Sequence, residues 1–115
     1  MKIKDIISYA DKTVRNDIDQ SAKIMWLSRL DSQILHDIFQ KDAPDLYAES
    51  SELSLPGRYA DVYEYYLMSM ISLTLGETVA YQNYNVLYKS AYDAFSKEYT
   101  REHTPKQSVR ALRFT

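Results

Sequence analysis

Between residues 81 and 99 six aromatic residues recur at steps of three and four: Tyr81, Tyr84, Tyr88, Tyr92, Phe95 and Tyr99. Only an α-helix places that spacing on one side, because its side chains return to the same face every three to four residues. The stripe is too long for a strand and too regular for a loop. It closes a longer stretch, 55–99, that holds nine of the eleven tyrosines. Whatever the chain folds into must give these rings something to pack against.

The residues before the stripe supply candidates. Ile3, Ile6, Ile7, Ala10 and Val14 mark the apolar face of a first helix over about 2–15, with Asn16 suited to a left-handed closing residue. Asp17 and Gln20 then have capping-box spacing. A second helix spans about 19–39, with Leu27, Leu30, Ile34 and Ile38 on its apolar face, Trp26 filling core, and Lys23, Arg29, Asp31 and Asp37 elsewhere. A third follows Pro56 and Gly57, where Val62, Tyr63, Tyr66, Leu67, Met70, Ile71, Leu73 and Leu75 make it apolar around most of its girth. Such a helix belongs at the centre. Gly76 predicts a break near 76–78, since glycine costs about 1 kcal/mol relative to alanine inside a helix, and Thr78 opens a fourth helix to about Glu102. Val79, Leu87, Ala91 and Ala94 widen its stripe.

The expected fold is therefore all-α: a four-helix, bundle-like domain over 1–104, with a long loop between helices two and three and an extended tail over 105–115. Two glycines and three prolines leave little room for turn-rich architecture or phosphate-cradling loops. One domain suffices for 115 residues. No segment approaches the roughly 20 apolar residues of a membrane span, and the start lacks a signal-peptide run, so no membrane partner is expected. The absence of cysteine excludes disulfides and thiolate chemistry.

Chemistry is sparse. His36 and Asp37 are neighbours, which a helix points in different directions, and no metal-ligand spacing accompanies His36 or His103. The pairs Asp42 with Asp45 and Glu49 with Glu52 sit in the polar connection and read as solvated acidic surface, so no catalytic residue, metal or cofactor is assigned. At about 18 residues that connection is unusually long. It is either a functional or partner-ordered loop, or a plain surface loop with a helical turn near 45–52.

Charge is unevenly spread: residues 1–100 carry 10 Lys/Arg against 15 Asp/Glu, whereas 101–115 carry Arg101, Lys106, Arg110 and Arg113 against Glu102. An acidic body disfavours nucleic-acid binding. Only the tail, with Val109, Leu112 and Phe114 among its basic residues, offers a footprint, and an acidic protein groove would suit it equally. A small helical regulatory or nucleic-acid-binding protein acting through this tail is thus one reading; an enzyme using the acidic loop is a weaker one. The surplus of tyrosine, large in apolar area but polar at its tip, favours an oligomer in which neighbouring copies complete the burial.

The order of Met25-Trp26-Leu27, Leu30, Ile34, Leu55-Pro56, Tyr59, Val62-Tyr63, Tyr65-Tyr66-Leu67, Gly76-Glu77, Tyr81, Asn83, Tyr88, Ala91-Tyr92, Phe95, Tyr99 and Arg101 resembles the head-to-tail connector proteins of long-tailed bacteriophages, also called adaptor or head-completion proteins. The resemblance covers most of 20–106. It implies a structural virion protein, not an enzyme, made in the host cytoplasm and assembled at the head–tail neck. There it forms a ring of copies, usually dodecameric, beneath the portal protein. The ring extends the channel through which DNA passes and meets the next neck or tail-completion protein. The matching C-terminal segment, 103–115, would then dock on the portal, and Lys106, Val109, Arg110, Leu112, Arg113 and Phe114, with Arg101, are the residues expected to do so. The acidic loop 40–54 departs from the family pattern; facing the channel it would repel DNA and ease its passage, and facing outward it would serve the next ring.

Overall fold

The computed structural model of the protein describes residues 1–103. These form an all-α chain with no strand among the described residues: α1 (Ile3–Thr13), α2 (Gln20–Ile34), α3 (Ala60–Thr74) and α4 (Thr78–His103). A π-helical turn, Leu35–Phe39, prolongs α2, and a 3-10 turn, Gly57–Tyr59, leads into α3. Among the described residues, no helix is long and apolar enough to cross a membrane.

The apolar periodicities decide what lies inside. In α1, Ile3, Ile6, Ile7 and Ala10 are all buried. In α2 the buried apolar line is Leu27, Leu30 and Ile34. Helix α3 buries Val62, Tyr63, Leu67, Met68 and Ile71 and packs against α1, α2 and α4. It is the central element that its girth of apolar residues predicts. Trp26, expected in the core, is only half-buried and packs against the core from outside.

Helix boundaries follow local chemistry. Gly76 adopts φ +75 between α3 and α4, so the predicted break falls where only glycine takes the left-handed conformation without penalty. Asn16 does not adopt that conformation; α1 closes on Val14 with extended backbone. The Asn16 side chain instead bridges the turn, donating to Asp11 Oδ1 at 3.1 Å and to the Val14 carbonyl at 2.8 Å, and accepting from the Ile18 amide at 3.0 Å. Asp17 does not cap α2; Asp19 is its N-cap. The left-handed closing residue is Gln40, φ 53, at the end of the π-helical turn.

Two charged residues expected away from the apolar face are buried. Lys23 is 3% exposed and pairs through Nζ with Asp11 Oδ1 at 2.8 Å, joining α2 to α1. Asp31 is 1% exposed and is the hub of the long connection. Its carboxylate accepts from Tyr63 Oη (2.6 Å), Tyr47 Oη (2.8 Å), Ser54 Oγ (2.8 Å) and the Ser54 amide (2.9 Å). Both oxygens are therefore saturated, which is what a carboxylate requires if it is to leave water. The connection is also tied to the start of the chain by an isolated antiparallel bridge between Lys2 and Glu52, with the Leu53 amide donating to the Met1 carbonyl at 2.9 Å. Its later half is thus fixed rather than free surface, with Leu53 and Leu55 in the core, while Asp42, Asp45, Glu49 and Glu52 remain exposed.

Candidate interaction surface

Helix α4 contains 26 residues, about 39 Å at 1.5 Å per residue, and its main helical partner is α3. The aromatic stripe divides along that length. At the lower end, rings form a continuous run: Tyr66–Tyr88 with centroids 5.1 Å apart, Tyr88–Tyr92 at 6.0 Å, Tyr92–Phe95 at 6.1 Å and Phe95–Tyr99 at 6.1 Å. Of the six stripe residues only Phe95 is fully buried; the tyrosines are half-buried. Burial lifts the Tyr88 hydroxyl to about 12, helped by Tyr92 and Tyr66, and raises Tyr92 as well. Tyr84 touches the core, whereas Tyr81 does not pack against it.

The upper half of the α3–α4 hairpin is unfinished. Leu73 (50% exposed) and Leu75 (41%) at the end of α3 and Val79 (71%), Val86 (66%) and Leu87 (42%) on α4 face outward. Val79 and Leu87 were expected to widen the buried stripe; they are exposed, and Val79 stands about 200° round the helix from Tyr81, away from the stripe. Val79 and Val86 are two turns apart and so share a line on the helix. Exposed apolar residues scattered singly mean little, whereas five along one hairpin make it the candidate surface for association.

At the foot of α4 a cavity of about 250 Å³ is lined by Phe39, Pro56, Tyr59, Phe95, Tyr99 and Glu102, together with Ser54 and Arg58. The π-helical turn delivers Phe39 there, edge-on to Tyr99 at 5.0 Å, and Tyr59 meets Phe95 edge-on at 5.0 Å. The Arg58 guanidinium lies 4.8 Å from the Tyr59 ring centre and 3.6 Å from Glu98. Hydrogen bonding to Glu98, and then burial, raise the Tyr59 hydroxyl. Neither the π turn nor this cavity has a signature in the sequence beyond the apolar spacing of Phe39.

Among the described residues no cluster of three or more His, Asp or Glu side chains is arranged to hold a metal ion. His36 and Asp37 do meet, Nδ1 to Oδ1 at 2.8 Å, against the expectation from adjacency: they lie in the π turn with His36 fully outside, free to lean along the surface. The His36 hydrogen bond holds the Asp37 carboxyl below its ordinary range. No protein-family model, curated protein or solved structure matches the chain. Function must therefore be argued from surface alone. Arg101 is exposed on the last turn of α4, while Lys106, Val109, Arg110, Leu112, Arg113 and Phe114 lie outside the described residues.

Proposed function

We propose that this protein is a structural connector whose copies close into a ring beneath a phage portal, joining the DNA-filled head to the neck and tail. The observation that carries the reading is the unfinished α3–α4 hairpin, with five large apolar side chains outside the core of a small acidic domain. A ring needs heterologous contacts, one face of each subunit meeting a different face of the next. The hairpin supplies residues for such contacts, Leu73, Leu75, Val79, Val86 and Leu87, with Tyr81 on the other side of α4. Elongation supports the same use: the radius of gyration is 16.3 Å against about 13 Å for a compact domain of this size. The bundle-like packing of four helices then serves as a rigid wedge, and the basic C-terminal segment docks on the portal. DNA is met only in the channel, the work is mechanical, and the protein resides in the virion neck after assembly from the host cytoplasm.

The test is association. Native mass spectrometry of the purified protein, alone and with portal rings, should show self-assembly or portal-bound copies, and Val86→Asp with Leu87→Asp should abolish the ring while the monomer keeps its helical circular dichroism. Deleting 104–115 should spare folding and abolish portal attachment. A protein that stays monomeric with portal present, and instead shifts short DNA at low salt and releases it steeply as salt rises, overturns the connector reading in favour of a nucleic-acid-binding one.

A further inference from the structure

The aromatic cavity at the foot of α4 is not used by ring closure, which engages the opposite end of the hairpin. We propose that it is a receptor for a basic, aromatic-bearing peptide segment, and that in the unassembled protein its occupant is the chain's own C-terminal segment, 104–115, held there until another protein takes it. The proposal rests on the reading of that segment as the docking element and adds where it is kept before it docks.

Three observations lead to this occupant. The first is chemistry: the walls are aromatic, Phe39, Tyr59, Phe95 and Tyr99, and Glu102 lines the cavity as a carboxylate, while the Arg58 that also lines it is offset by Glu98 at 3.6 Å. A cavity of about 250 Å³ takes one large side chain, and rings with carboxylates at their edge favour an apolar anchor flanked by cations. The segment KQSVRALRF at 106–114 has that composition: Phe114 and Leu112 as anchors, Arg110 and Arg113 beside them. The second is charge, since the body is acidic and the segment is basic, so encounter is attractive. The third is reach. Glu102 lines the cavity and Phe114 lies eleven residues beyond His103, a contour of up to about 40 Å that allows a return to the starting point. A tether that short sets an effective concentration in the mM range, so even weak anchoring fills the site in the same chain before a second copy competes.

A spin-label experiment on the full chain tests this, since the absence of cysteine makes Thr115→Cys a single attachment point. With a nitroxide there, the amide signals of Arg58, Tyr59 and Tyr99 should be lost in an isotopically labelled sample. They should survive when spin-labelled, isotopically silent protein is mixed with labelled protein lacking the nitroxide. Adding Phe114→Ser, outside the helical core, should restore them. Signals that persist in the first sample overturn the proposal, as does equal loss in the mixture, which would make the occupant a second copy. Loss centred on Asp42, Asp45 and Glu49 instead, or loss indifferent to Phe114→Ser, would mean charge attraction without a seated anchor and overturns it too. No portal enters the experiment, so its failure is separable from failure of the connector reading.

Discussion

Asp31 carries more of this fold than any other polar residue. It sits in the apolar interior as a carboxylate with four donors, three of them from the connection and one from α3, so α2, the loop and the central helix are all fixed through one side chain. Asp31→Ala orphans buried donors that each cost about 1–3 kcal/mol when unpaired; urea unfolding should show a loss of at least about 3 kcal/mol. Tyr63→Phe, which removes the shortest of these bonds and the acceptor of the Leu55 amide, should cost about 1–3 kcal/mol. Ser72 is the converse: its hydroxyl is buried without a hydrogen-bond partner, so Ser72→Ala should stabilise, by about 1 kcal/mol. Tyrosine ionisation sets the alkaline limit. Burial raises Tyr47 and Tyr88 from the ordinary 10.0 to about 12, and raises Tyr63 further in the same direction, with Asp31 adding to it. A phenol whose folded value is raised contributes stability that is complete below pH 10 and is lost as pH climbs through the folded value. Denaturant midpoints should therefore be flat to about pH 10 and fall towards pH 12, less steeply in Tyr88→Phe; absorbance at alkaline pH would follow the ionisation directly.

At the scale of elements, α4 is graded. Its lower half is anchored by Phe95, 1% exposed, which meets Tyr59, Tyr92, Tyr99 and Phe39; Phe95→Ala should destabilise by about 3–5 kcal/mol. Its upper half meets little, and Val79→Ala or Val86→Ala should change monomer stability by less than about 0.5 kcal/mol. A thermal-melt series along the helix would reveal the gradient. The turn between α3 and α4 is set by backbone: Gly76 has open space where a Cβ would stand, yet φ +75 makes Gly76→Ala costly by about 1–2 kcal/mol through conformation alone. The helices themselves were legible because their apolar residues keep a 3.6-residue period. The π turn was not, since its signal lies in how Leu35–Phe39 meets Tyr99 and Phe95 rather than in any spacing of its own.

For the whole molecule, burial is incomplete at one end and aromatic at the other, and the two ends suit different partners. On the connector reading, the exposed apolar residues of the hairpin meet neighbouring copies, and on the proposal above the cavity at the foot of α4 takes a single anchored side chain. The sequence by itself determined that the chain is helical, where the helices break and which helix is central, because periodicity and glycine's freedom at φ > 0 act within a few residues. It also showed that six aromatics share a face. Only the tertiary structure decided how that face is spent: Phe95 inside, the tyrosines half in. It likewise decided that Lys23 and Asp31, charged and unremarkable in sequence, are interior. Burial of a charge depends on partners brought from 12 to 32 positions away, and no local pattern records where those partners will be.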